Sequence, residues 1–173
     1  NSWQHTFSGL PLYDESGNRY YYYAIETAAE AGTAAETAIG SDSFAVHGVD
    51  YTGYAQTTYT NETRAETRLV NVAHHDLTGT KSWKDNSDAY DTRPETLELT
   101  LWRKAGTGAE TEVDLEPTWT RTGDTWTYVY ENLPDAASDG TLYTYRVEET
   151  VPADYKVSQT GTALTNTLSG TCD

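Results

Sequence analysis

The sequence contains no methionine, a single cysteine and few cations. Cys172 sits second from the end, so no disulfide can close within the chain and the staples of small secreted domains are absent. Eleven Lys and Arg stand against 27 Asp and Glu, a formal charge of −16. So acidic a surface repels nucleic acid and anionic membranes, which excludes both as expected partners. No apolar run is long enough to span a bilayer and no basic leader precedes an apolar segment, so any secretion or anchoring signal is expected outside these residues. No Ser-His-Asp pattern, Gly-rich phosphate loop or Cys-His pair stands out, so turnover on a foreign substrate is not expected and no cofactor is called for.

What the chain does have is thirty Thr, 14 Tyr and 5 Trp among 173 residues. β-Branched and aromatic side chains suit half-buried pleated surfaces, so the expectation is a β-rich fold. The length suffices for one large domain or two small ones, each with a core.

An internal repeat organises the sequence. WQHTFSGLP from Trp3 matches WTYVYENLP from Trp126, with Trp, Leu and Pro at identical spacing, and Gly17 and Gly140 then follow their leucines by seven residues. Trp3 to Glu26 and Trp126 to Glu149 both span 23 residues. Each copy then reaches an Asn among apolar neighbours, Asn71 in RLVNVA and Asn166 in ALTNTL, but the Glu to Asn interval is 45 residues in the first and 17 in the second. The first copy thus carries an insertion around residues 27–64, and only the second has an upstream half. Residues 1–76 therefore read as the C-terminal part of one module and 77–173 as a complete one, so the chain is expected to begin inside a domain.

Period-two alternation predicts strands at Leu77–Trp83, Thr96–Arg103, Thr125–Tyr130, Leu142–Glu149 and Ala163–Leu168, and in the first copy at Ser2–Phe7, Arg19–Glu26 and Arg68–Ala73. Short strands at this spacing, punctuated by Pro and Gly, suggest a sandwich. The exception is Thr27–Ala38, where two Thr-x-x-Glu patterns introduce an alanine-rich stretch that is either a short helix or a surface loop.

Three polar residues fall on apolar faces. Lys81 is in phase with Leu77, Gly79 and Trp83; Glu149 ends the face carrying Tyr143, Tyr145 and Val147; Asn166 lies between Leu164 and Leu168. A buried charge without a partner costs several kcal/mol, so the three are expected to meet. Two outcomes are open. One is a hydrogen-bonded polar cluster, or a lysine whose head snorkels to solvent. The other is chemistry: desolvation favours the neutral amine and the neutral acid, and a neutral Lys81 could attack the Asn166 carboxamide with Glu149 shuttling protons, leaving an isopeptide bond and one ammonia. Lys84 falls on the opposite face, and Glu148 is out of phase with the proposed catalyst.

The stretch GTKSWKDNSDAYDTRPETLELTLW, the NLP before a Gly, YTYRVEETVPADY and the closing LTNT resemble the B-type repeat domains of the collagen-adhesin family (Cna B-type) of Gram-positive surface proteins and pilins. The resemblance covers Leu77 to about Leu168 and, through Trp3–Glu26 and Asn71, most of the first copy. It implies an all-β fold of tandem inverse immunoglobulin-like sandwiches, the first present only in its C-terminal part. It further implies a spontaneous Lys to Asn isopeptide bond between first and last strands, assisted by an acidic residue. By motif, the lysine of G-T-K-x-W is Lys81, the glutamate of V-x-E-T is Glu149 and the asparagine of T-N-T is Asn166.

In the first copy Glu26 and Asn71 stand at the catalytic and acceptor positions, yet residues 1–80 contain no lysine. A crosslink at Asn71 is therefore expected only to a Lys outside this chain, supplied by an upstream part or by a second polypeptide that completes the module. His74-His75-Asp76 invites a metal reading, but adjacent strand residues point to opposite faces, so no metal site is expected. Tyr51, Tyr54 and Tyr59 in the inserted segment are candidates for binding a host glycan or protein. Cys172, in LSGTC, echoes Leu77–Lys81 and marks either another module's first strand or a chain end. The expected role is an extracellular, cell-wall-attached structural segment of a surface adhesin or pilus-like stalk, adjoining further domains of the same protein. A ligand-binding adhesin module is the alternative.

Overall fold

The computed structural model describes residues 3–28, 37–39 and 43–169. Twelve strands occur among them: β1 (Glu26–Ala28), β2 (Thr37–Ile39), β3 (Ser43–Val46), β4 (Val49–Asn61), β5 (Arg64–Lys84), β6 (Leu99–Ala105), β7 (Glu110–Val113), β8 (Thr118–Thr122), β9 (Thr125–Pro134), β10 (Tyr143–Glu149), β11 (Tyr155–Thr160) and β12 (Ala163–Leu168). No helix is present among the described residues. Two compact units emerge, one drawn from residues 1–42 and 53–70, the other from 43–52 and 71–173. β4 and β5 each contribute to both, and β5 runs without interruption through residue 77.

In the first unit, β1 and β2 pair antiparallel with Glu26 opposite Ile39. The ends of the alanine-rich stretch are thus extended, and its middle lies outside the described residues. β4 turns into β5 where Asn61 Oδ1 accepts from the backbone N–H of Thr63 at 2.9 Å, a local bond that favours a turn over a continued ladder. Strands are expected at 2–7 and 19–26; residue 2 lies outside the described residues, residues 3–25 hold only the single bridge Tyr13↔Arg19, and of the second stretch Glu26 alone joins a strand. Alternation describes a face, but a strand also needs a neighbour to take its N–H and C=O groups. Without one, Trp3 is 94% exposed and Phe7 69%. The first copy therefore keeps the repeat's residues over 3–25 without strands, although its expected strand Arg68–Ala73 does form within β5, whereas Thr125–Pro134, the counterpart of the stretch from Trp3, forms β9.

The second unit is a sandwich. One sheet runs β8-β9-β5-β12-β11 and the other β10-β6-β7. Trp83, Leu99, Leu101, Tyr128, Tyr130 and Val147, from both sheets, meet in one buried cluster. Tyr128 and Tyr130 are wholly enclosed, and burying such rings supplies much of the drive to close the sheets, about 1.5–3 kcal/mol for a large apolar side chain. Among the described residues of this unit, β12 lies parallel to β5, with Ala163 opposite Thr80 and Asn166 opposite Trp83, whereas β9 on the other side of β5, β8 and β11 pair with their neighbours antiparallel. Residues 43–52 form a hairpin turned by His47 and Gly48, both at positive φ, which matches the twist of the flanking strands.

Candidate functional site

β5 is the central strand of its sheet, hydrogen-bonded to β9 on one side and β12 on the other. Its inward positions are Gly79, Lys81, Trp83 and then, just past the strand, Asp85, all buried. The apolar phase that selects Trp83 for the core thus carries a lysine with it, and Lys81 has no exposed surface at all. β12 brings Asn166, equally enclosed, from the neighbouring strand. β10, in the opposite sheet, ends with Glu149 facing them.

Glu149 binds both. Lys81 Nζ donates to Glu149 Oε1 at 2.7 Å and to Oε2 at 2.6 Å, and Asn166 Nδ2 donates to the same Oε1 at 2.6 Å. The Trp83 ring closes one side, its centroid 4.8 Å from Nζ. Burial pulls the Lys81 amine below its ordinary range, an effect that the Glu149 carboxylate opposes. Asn166 Oδ1 is buried with no hydrogen-bond partner, a deficit of about 1–3 kcal/mol that a finished interior would normally avoid. Lys84 and Glu148 are exposed, the latter bonded to Arg146 at 2.9 Å.

Beside this trio lies a second polar cluster that alternation alone did not single out. Asp85 accepts from Arg93 Nε at 2.6 Å and Nη2 at 2.5 Å, and from the Tyr155 hydroxyl at 3.0 Å. Arg93 also reaches Asp124 Oδ1 at 2.6 Å and the Gly123 carbonyl at 3.1 Å. The paired guanidinium holds the Asp85 carboxyl down to about 2. The signal was available, because Asp85 continues the phase of Lys81 and Trp83; it reads as a loop acid only because the strand ends one residue earlier.

The other candidates are dispersed. Glu26, on β1, is half-buried, and Asn71, on β5, is exposed, so neither sits in the dry setting that encloses Lys81. Tyr51 stacks on Phe44 at 5.5 Å and, with Asp50, His74 and Asn132, lines a shallow groove in the second unit. In the first unit the Tyr59 hydroxyl donates to the Tyr22 carbonyl at 3.0 Å, and Tyr54 is half-buried. His74 bonds Thr52 at 2.9 Å and the Asn132 carbonyl at 3.0 Å, while His75 pairs with Asp135 at 2.5 Å. No cluster that could hold a metal ion occurs among the described residues.

A sandwich whose strands β5 and β12 lie side by side, with a lysine, a carboxylate and a carboxamide sealed between its sheets, defines a structural β-domain. The chain matches the family described as Cna protein B-type domain over residues 1–49 and 77–167, more than half its length, and it belongs to that family. Domains of this family are structural modules of Gram-positive cell-surface proteins. No curated protein and no solved structure matches the chain.

Proposed function

We propose that Lys81 and Asn166 join in an isopeptide bond with Glu149 as the proton-transferring group, and that the chain serves as a covalently tied structural segment of an extracellular, wall-attached adhesin or pilus-like stalk. The observation that carries this reading is that Lys81 Nζ and Asn166 Nδ2 both donate to one carboxylate in an interior without solvent.

The ion pair and its neutral form differ by one proton moved along the 2.6 Å Lys81 to Glu149 bond. Desolvation favours the neutral form, which makes Lys81 a nucleophile. With Glu149 protonated, a half turn of the carboxamide lets the orphaned Oδ1 accept the acid proton, and the carbonyl is polarised. The amine nitrogen bonds to Asn166 Cγ, the bond from Cγ to Nδ2 breaks, and Glu149 carries the proton lost by the amine to the departing nitrogen. Amine and carboxamide become a secondary amide and ammonia, with no oxidant or cofactor required. Exclusion of water then protects the new amide from hydrolysis.

Intact-mass measurement tests the reading. The folded wild type is expected to be lighter than its sequence by one ammonia, with the deficit abolished in Lys81→Ala and Asn166→Ala and strongly reduced in Glu149→Ala. A folded wild type at full mass refutes the crosslink and leaves an ordinary sandwich.

A further inference from the structure

The reaction above needs Asn166 opposite the right stretch of β5, and the parallel pairing that places it there is the less stable kind of ladder. A slip of one residue would turn Asn166 out of the core, and a slip of two would carry it about 6.6 Å along the strand. Something must hold the register before the covalent bond exists.

Two sets of contacts bracket β12. Before the strand, the Thr162 carbonyl accepts from the Thr80 N–H at 3.2 Å and from the Tyr128 hydroxyl at 2.7 Å, and the Thr162 hydroxyl donates to the Thr78 carbonyl at 3.0 Å. Tyr128 reaches Thr162 by lying flat across Gly79, its cross-strand partner. A Cβ on Gly79 would come 2.0 Å from Tyr128 Cζ and 2.6 Å from the Thr162 carbonyl, so no other residue leaves the ring that path. After Asn166, the strand's Leu168 pairs with Tyr155, whose hydroxyl bonds Asp85 at 3.0 Å just beyond the end of β5. Asp85 is itself fixed by the fork of Arg93.

We propose that Tyr128 and Tyr155 are positioning residues that clamp β12 in register on β5 from both ends, so that Asn166 is presented to Lys81. The inference rests on the crosslink reading, and the hydroxyls of the two tyrosines bond Thr162, Thr92 and Asp85 rather than Lys81, Glu149 or Asn166. Burial, with the Glu149 charge adding to it, pushes the Tyr128 phenol up to about 12, so its hydroxyl keeps its proton at neutral pH.

The test uses the whole chain made by cell-free synthesis, stopped at intervals in acidic denaturant and weighed intact. Tyr128→Phe and Tyr155→Phe keep the rings and remove the hydroxyls. Both are expected to lengthen the half-time of ammonia loss about tenfold or more, the scale of a misplaced near-attack geometry. Tyr145→Phe, which removes a like bond to the Pro134 carbonyl away from β12, is expected to leave it unchanged. Because a positioning residue takes no part in proton transfer, the pH midpoint of the rate should be the same in all four proteins while its plateau falls in two. Folded content is read by near-ultraviolet dichroism in the Asn166→Ala background, which cannot react. If Tyr128→Phe is poorly folded there, Thr162→Val, which loses the bond to Thr78, takes its place with the same slowing expected. Variants that fold and convert at the wild-type rate overturn the clamp alone, whereas a wild type that never loses ammonia overturns the crosslink and the clamp together.

Discussion

Lys81 and Glu149 come from opposite sheets of the sandwich, and the lysine nitrogen lies 2.7 and 2.6 Å from the two carboxylate oxygens with essentially no solvent reaching either side chain. A buried ion pair seldom repays its desolvation when compared with apolar residues of the same shape. Its presence at the centre of a small domain therefore calls for a role beyond packing. Under the proposed crosslink the third member supplies one, since Asn166 offers an electrophilic carbon on the strand adjacent to the amine.

Removing the acceptor separates the proposed covalent tie from the ion pair. Asn166→Ala leaves Lys81 and Glu149 bonded to each other and takes away the proposed crosslink together with the buried carboxamide and its bond to Glu149. By analogy with a crosslink closing a loop of this length, the loss is about 4–5 kcal/mol. That corresponds to a melting temperature lower by on the order of 20 °C. Lys81→Ala should melt lower still, by about a further 3 kcal/mol, because Glu149 is then enclosed without its cation. Calorimetry of the three proteins gives the order directly, and equal melting of wild type and Asn166→Ala would show that no tie had formed.

Pulling on the chain ends distinguishes the same proteins mechanically. The 84 residues between Lys81 and Asn166 lie inside the proposed covalent loop, so force passes from β5 to β12 without extending them. In single-molecule stretching, Asn166→Ala is expected to release about 280 Å of contour from this segment, at about 3.3 Å per residue. The wild type is expected to release none of it.

Much of this arrangement was legible from the residues. Lys81, Glu149 and Asn166 stand in phase with Trp83, Val147 and Leu164, and a face that is otherwise apolar announces what it encloses. The strand bounds at Ala163–Leu168 are those the alternation predicts, because each inward side chain there meets the core. β8 and β11 were not visible, since Thr118–Thr122 and Lys156–Thr160 are largely exposed polar stretches held by ladder bonds to one neighbour, which no hydrophobic period records. The start of the first copy misled for the complementary reason: Trp3 and Phe7 have the pattern of a strand and, among the described residues, no strand to pair with. Gly79 stood in the G-T-K-x-W motif and on the inward face, but the reason for a glycine there was not legible, because it comes from Tyr128, nearly fifty residues away.

Gly79→Ala tests that close approach. A methyl 2.0 Å from Tyr128 Cζ and 2.6 Å from a backbone carbonyl cannot be relieved by a side chain alone, so β5 must move away from both neighbours. Overpacking of this kind costs about 1–3 kcal/mol or more. Adding Tyr128→Ala frees the ring side but not the Thr162 side, so the double variant should regain only part of the register, seen as incomplete crosslinking. Urea unfolding and intact mass on the two variants check both statements, and wild-type behaviour of Gly79→Ala would show that the contact is soft.

Asp85 should give the second unit a distinct sensitivity to acid. Its carboxyl, ordinarily near 3.8, is held at about 2 in the fold, chiefly by the Arg93 guanidinium. From about pH 6 upward the group is ionised in both folded and unfolded chains, and the full benefit of the pair is present. As pH falls from about 4 towards 2, the unfolded chain takes up a proton that the folded one does not, so stability declines through that window by on the order of 2 kcal/mol. Other carboxylates titrate there too, so the informative quantity is the difference between wild type and Asp85→Asn. The variant is expected to be less stable at neutral pH, and its deficit should shrink steadily between pH 4 and 2 as the wild type loses the contribution the variant never had. Guanidinium unfolding at half-unit steps across this range measures it, and a deficit independent of pH would mean that Asp85 contributes through its hydrogen bonds to Tyr155 and the loop rather than through its charge.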